Sequence, residues 1–225
     1  MSFRLYVTNT RILQAESLFN QWYSTLSTYR RGKVNQMRRP QDKCLSLGAG
    51  VLLHRALSDA GLVPESLSVS FTPFGKPIFN GHPDFHFSLS HSEEIAICAI
   101  SDAPIGCDVE KMAPFDLRIA QRFFASEECR LLMETPRETQ PALFCRLWVL
   151  KESYLKATGL GLSLPLNAFA VQPGEPSILV SPQDAGNYAF AEPHIAEGYG
   201  CACCVMGEAT LEHMEYVDLA QFSPF

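Results

Sequence analysis

Between Leu13 and Tyr29 the apolar residues Leu18, Trp22 and Leu26 recur every four positions, which keeps them on one side of a helix and predicts a helix over that stretch. A basic turn, Arg30-Arg31-Gly32-Lys33, is expected to follow. A second helix is predicted from about Gln41 to Ala60, with Leu45, Leu52, Leu53 and Leu57 on its apolar side and Gly61 as the residue that ends it. The period then shortens to two. Ser66–Phe71 and Phe85–Ser90 alternate, Ile95–Ser101 is largely apolar and reads as buried, and Ile105–Glu110 is another short strand. Thr72–Pro77 and Asp102-Ala103-Pro104 carry turn signals between them, and Met1–Thr10 also alternates like a strand. Helices are predicted again at Phe115–Phe124, after Ser126 as N-cap with Glu127 and Glu128 in the first turn, and at Pro141–Thr158, which Gly159 and Gly161 end. Strands are expected at Ala168–Gln172, Ser177–Val180, Tyr188–Ala191 and Gly200–Val205. Helices followed by strands thus occur twice. The pattern predicts an α+β fold made of two halves, residues 1–102 and 103–225, joined near Ser101–Pro104.

Composition narrows the function classes. The 225 residues are 47% hydrophobic and 19% charged, enough apolar matter for a packed core. A net charge of −6 disfavours nucleic acid as a partner. That charge is uneven, however: Met1–Lys43 carries a net +6 and the remainder −12. A basic edge on an acidic protein suits a localised anion such as a phosphate, and it also fits a solvated basic helix face. No apolar leader follows Met1 and no run reaches the eighteen or so apolar residues of a membrane span, so a cytoplasmic protein without membrane contact is expected. Cys201 and Cys204 form a C-x-x-C, but no second pair stands at zinc spacing and the surrounding run is apolar. A buried strand using cysteine as a small hydrophobe is the reading adopted.

Two short patterns carry candidate chemistry. Asp108 and Glu110 flank Val109 on a strand, so both carboxylates project to one face while Val109 turns into packing. Such a pair calls for a cation, and Mg²⁺ suits oxygen-only ligands; a solvated strand edge gives the same letters. Glu152 and Lys156 stand four apart on one helix face, either as an ordinary surface pair or as a carboxylate beside a phosphate-binding cation. Ser90 and His91 point to opposite sides of their strand, so His91 reads as a phosphate donor rather than as the base for Ser90, or as a structural histidine.

The order of motifs is more telling than any one of them. Phe74-Gly75-Lys76-Pro77, Phe87-Ser88-Leu89-Ser90-His91-Ser92, Ile105-Gly106-Cys107-Asp108-Val109-Glu110-Lys111, Arg122-Phe123-Phe124-Ala125 and Leu147-Trp148-Val149-Leu150-Lys151-Glu152-Ser153-Tyr154-Leu155-Lys156 follow one another, and the last continues through Gly159–Leu166. Together they resemble the Sfp-type 4′-phosphopantetheinyl transferases over most of Arg30–Phe169. The resemblance implies two similar α+β halves related by a pseudo-two-fold, with the active site between them. It implies transfer of phosphopantetheine from coenzyme A to a serine of an apo carrier protein, with release of 3′,5′-ADP. Asp108, Glu110 and Glu152 then resemble the Mg²⁺ ligands, and Glu152 the candidate base. Lys156 resembles the lysine at the pyrophosphate, and Lys76, Ser90 and His91 resemble coenzyme A contacts, as does Asp108 through the metal. Arg30, Lys33 and Ser46 fall where the nucleotide's 3′-phosphate is met, a role Lys43 could share. Cys107 and Val109 replace aliphatic residues usual in the family. The resemblance also implies a monomer, docking an acidic carrier through the basic N-terminal segment or a patch of Phe115, Phe123 and Phe124, whose other reading is core packing. Rival readings are another Mg²⁺-dependent phosphoryl-transfer enzyme, a coenzyme A or carrier-binding module without activity, and a thiol-redox protein built on Cys201–Cys204.

Overall fold

A computed structural model describes residues 2–173, 177–180 and 187–221. The chain opens with strand β1 (Ser2–Asn9), a 3-10 turn, and helices α1 (Glu16–Thr25), α2 (Thr28–Gln36) and α3 (Pro40–Asp59). A small hairpin follows, β2 (Val69–Phe71) and β3 (Pro77–Phe79), then a longer one, β4 (His86–Ser92) and β5 (Ile95–Ser101). The order then repeats. Strand β6 (Ile105–Lys111) leads to α4 (Leu117–Phe123), α5 (Ser126–Glu134) and α6 (Gln140–Thr158), a small pair β7 (Ala170–Gln172) and β8 (Ser177–Val180), then β9 (Tyr188–Ala191) and β10 (Tyr199–Met206). The strand order β1-β5-β4 of the first sheet matches β6-β10-β9 of the second. A last strand, β11 (Thr210–Tyr216), leaves the second half and pairs in parallel with β1. The α+β class and the repeated order agree with the sequence pattern.

The alternation of side chains decides how the layers stack. In β1 and β5, Phe3, Leu5, Val7, Ile97 and Ala99 meet Ile105, Cys107, Val109, Cys203 and Val205 of the second sheet in one shared core. The opposite face of the first sheet, through Tyr6, Cys98 and Ile100, receives α3 and the helices before it. The opposite face of the second sheet, through Ala202 and Cys204, receives α6. The result is helix, sheet, sheet, helix. Val109 is fully buried, as the spacing of Asp108 and Glu110 required. Cys201 and Cys204 lie on opposite faces of β10, so they cannot chelate one ion together, and all eight cysteines are free thiols.

Local expectations failed at identifiable points. The helix predicted over Leu13–Tyr29 is broken at Leu26, whose backbone is extended (φ −72°, ψ 144°), and Ser27 caps a new helix by accepting from the Arg30 amide. Arg30–Lys33 therefore lies in the middle of α2 rather than in a turn. Ala125, not Ser126, occupies the N-cap of α5, and the Glu128 carboxylate accepts its amide at 2.8 Å. The strand expected from Ser66 starts only at Val69. Phe124 is buried, while Phe115 and Phe123 pack against Phe144 and Trp148 of α6, which is the core reading of those phenylalanines.

Candidate active site

The two sheets converge at one edge, where β4 runs beside β6. Serines at alternate positions of β4 face β6 and bridge the gap. Ser88 accepts the Cys107 amide at 3.0 Å. Ser90 donates to Asp108 Oδ1 at 2.7 Å, and Ser92 donates to Glu110 Oε2 at 2.7 Å while accepting the Lys111 amide. On the same face of β6 as Asp108, Gly106 lies under α6. A Cβ there would fall inside the backbone of Ser153, Lys156 and Ala157, so only glycine lets the helix rest on the strand. That close approach brings Glu152 and Lys156 over Asp108. Glycine inside a strand is a readable sign of such contact, and on sequence alone Gly106 stands in a motif without that reading.

These elements wall a groove of about 480 Å³. Arg30, Lys33 and Ser46 from α2 and α3 stand on one side, Asp108, Glu110, Glu152 and Lys156 on the other, with Ser90 and His91 between them. A second cavity of about 480 Å³ shares Arg30, Lys33, Glu152 and Lys156 and continues past Lys76 along the apolar residues Tyr29, Phe71 and Phe74. All ten site residues expected from sequence therefore line one continuous groove. Lys43 lines neither cavity. Trp148 and Phe74, which the sequence offered only as parts of motifs, and Phe71, not singled out at all, also line the groove; as apolar residues in apolar or turn segments they gave no signal of their own.

The polar contacts differ in what they leave free. Lys156 donates to Asp108 Oδ1 at 2.7 Å, to Ser90 at 3.0 Å and to the Cys107 carbonyl at 3.1 Å. Burial works against its charge, but Asp108, Cys107 and Glu152 together outweigh that and raise its pKa. Asp108 Oδ2 is buried with no hydrogen-bond partner. Burial, reinforced by Asp108, raises Glu152 above the ordinary carboxylate range. Glu110 is raised as well, chiefly by burial, with the Ser92 bond acting the other way. His91 is lowered by the protein packed around it and by Lys156. The three carboxylates share the groove without closing on one point: among the described residues, no three His, Cys, Asp or Glu side chains are grouped as a ready metal cage. Arg30 spends one nitrogen on the Ser46 carbonyl at 2.8 Å, and its buried Nε has no partner. Lys33 sits over the rings of Tyr29 and Phe71. Lys76 was expected to meet coenzyme A. It lines the second cavity, and its ammonium donates to the carbonyls of Ile105 (2.9 Å), Lys156 (2.6 Å) and Ala157 (3.4 Å), closing the C-terminal end of α6.

Comparison with known proteins decides the family. Residues 104–204 match the 4′-phosphopantetheinyl transferase superfamily. The chain is 32% identical over 189 residues to the 4′-phosphopantetheinyl transferase gsp of Aneurinibacillus migulanus, covering 83% of this chain and 79% of that protein. It belongs to the Sfp-type 4′-phosphopantetheinyl transferases. It is also 33% identical to the 4′-phosphopantetheinyl transferase psf-1 of Bacillus pumilus (193 residues; 84% of this chain, 83% of that one). Against the 4′-phosphopantetheinyl transferase Sfp of Bacillus subtilis strain 168 it is 35% identical over 188 residues (82% and 84%). The family match spans β6 to β10, so Asp108, Glu110, Glu152 and Lys156 of this phosphopantetheinyl transferase all lie inside it. Among its described residues, no helix is long and apolar enough to cross a membrane.

Proposed function

We propose that this protein transfers the phosphopantetheine arm of coenzyme A to a serine of an apo carrier protein, with release of 3′,5′-ADP. The observation that carries the reading is the facing of Arg30 and Lys33 against Asp108, Glu110, Glu152 and Lys156 across one groove, in a chain whose relatives are phosphopantetheinyl transferases. On this reading the halves divide after residue 102. The first supplies the nucleotide contacts and the second the acidic ligands and the catalytic helix. We read the protein as a cytoplasmic monomer.

The donor set fits Mg²⁺. Asp108 Oδ2 is buried and unbonded, and Glu110 and Glu152 are hard oxygen donors in the same groove. Mg²⁺ commonly takes one or two protein carboxylates and fills the rest of its shell with water and phosphate oxygens, so a closed three-carboxylate cage is not required. Asp108, Glu110 and Glu152 would hold it, and when bound it would neutralise charge on the pyrophosphate oxygens. The chain's own groups do the remainder. Arg30, Lys33 and His91, with Ser46 beside them, line the wall where the nucleotide's 3′-phosphate would be held. Lys76 joins α6 to the small β2–β3 hairpin, which walls the second cavity of the groove. The carrier serine oxygen attacks the pantetheine-side phosphorus and the bond to the 3′,5′-ADP oxygen breaks. Glu152, directly or through a water, takes the serine proton, and the Lys156 ammonium meets the charge left on the departing phosphate.

Intact-mass spectrometry tests the proposal. The protein is incubated with coenzyme A, Mg²⁺ and an apo acyl or peptidyl carrier protein. A gain of one phosphopantetheine per carrier, lost when EDTA is present, is expected. Coenzyme A binding with no mass gain on any of several carriers would favour a binding module instead.

A further inference from the structure

The serines of β4 alternate in step with the carboxylates of β6. Ser90 holds Asp108 and Ser92 holds Glu110, each through its hydroxyl at 2.7 Å, while the hydroxyl of Ser88, two residues before Ser90 in the same row, accepts the Cys107 amide and the Ser88 carbonyl accepts the Cys107 thiol. Ser90 also touches Lys156 and lines the groove, so it belongs to the site already described. Ser92 lines neither cavity of the groove and touches no groove cation. Its hydroxyl has two partners, the Glu110 carboxylate as acceptor and the Lys111 amide as donor, and these fix its orientation.

We infer that Ser92 is a positioning residue: it holds the Glu110 carboxylate in the rotamer that presents its other oxygen to a divalent cation. The inference rests on the Mg²⁺ reading of Asp108, Glu110 and Glu152. The physical ground is that a ligating carboxylate on a strand edge has free χ angles unless a partner holds one oxygen, and loss of such a partner commonly weakens metal binding about 10–100-fold. A consequence is that the first half of the chain sets the ligand geometry of the second, since β4 and β6 lie on opposite sides of the Ser101–Pro104 connection.

The test uses the whole protein, stripped of metal and titrated with Mn²⁺ in the presence of saturating coenzyme A and no carrier. Free Mn²⁺ is followed by electron paramagnetic resonance. Thermal unfolding is recorded for each variant. Ser92→Ala is expected to raise the Mn²⁺ dissociation constant about tenfold or more, and Ser92→Thr, which keeps the hydroxyl on a strand-favouring residue, is expected to restore it. Ser88→Ala is the control within the same row. It is expected to lower the melting temperature at least as much as Ser92→Ala, because it leaves the buried Cys107 amide unpaired, and to leave the Mn²⁺ constant within about twofold. A Ser92→Ala constant equal to that of the parent overturns the inference, and so does an equal weakening by Ser88→Ala, which would mean that any loosening of the seam suffices. Absence of Mn²⁺ binding by the parent protein removes the cation reading itself, and the positioning role falls with it.

Discussion

Lys151 and Lys156 stand on the same helix and each ends on a carboxylate, yet the two sides of α6 they occupy are built on different terms. On the closed side, Lys151 is fully buried and gives its donors to both oxygens of Glu128 (2.8 and 2.7 Å) and to the Phe169 carbonyl (2.6 Å). Glu128 in turn accepts the amides of Ala125 and Val171, so the pair ties the start of α5, the middle of α6 and the start of β7 into one satisfied cluster. On the open side, the Lys156 side chain is 31% exposed, its partner Asp108 keeps one buried oxygen unbonded, and neighbouring Glu110 and Glu152 are pushed above their ordinary range by burial. Burial of charge is common to both. Completeness of hydrogen bonding separates the structural pair from the one proposed to act on substrate, because polar groups left under-satisfied in a groove are those a ligand can complete.

The comparison breaks most visibly at Lys151. Lys151→Met leaves the Glu128 carboxylate buried without its cation and is expected to cost about 3–5 kcal/mol in urea unfolding. Adding Glu128→Gln should recover part of it, since the amide oxygen can still take one of the two backbone amides. Lys156→Met is expected to lower stability by less than Lys151→Met while suppressing transfer; the reverse order would mean that the two faces had been assigned wrongly. Gly106→Ala sharpens the comparison next. The added methyl must push β6 and α6 apart, an overpacking expected to cost about 1–3 kcal/mol and to lower transfer as well, because it separates Asp108 from Glu152 and Lys156. Stability that falls with turnover unchanged would show that this approach does not position the carboxylates. The smallest expected effect is a pH slope. Burial lowers Lys76 to about 8, below the ordinary lysine value, so between that pH and about 10 the unfolded chain holds the extra proton and stability rises with pH. Comparing urea unfolding of the parent and Lys76→Met across that window should show the rise diminished in the variant.

How much of this was readable from sequence follows from the range of the interactions. Period-two spacing placed Asp108 and Glu110 on one face and Val109 in the core, and four-residue spacing put Glu152 beside Lys156. Both are local signals. The break at Leu26–Ser27 was hidden because an apolar stripe runs across it, and the cap that makes the break is a single serine contact. The pairing of β11 with β1 joins the two ends of the chain, and no local pattern announces a parallel partner two hundred residues away. Lys151 and Glu128 look like two ordinary surface letters until the fold buries them together. Lys76 illustrates the converse. Its family motif pointed to coenzyme A, and what no local pattern announced is that its ammonium, in the groove lining, also donates to the backbone carbonyls that end α6 and open β6.

We propose that the open side of α6 performs the chemistry, with Glu152 as the proton acceptor. The most direct measurement is transfer by Glu152→Gln, read as carrier mass gain against time, with coenzyme A affinity and urea unfolding measured on the same preparation. The account predicts that transfer falls by about 10²–10⁴-fold while the fold is kept and coenzyme A still binds. Turnover at the parent rate would contradict it and remove Glu152 from the mechanism.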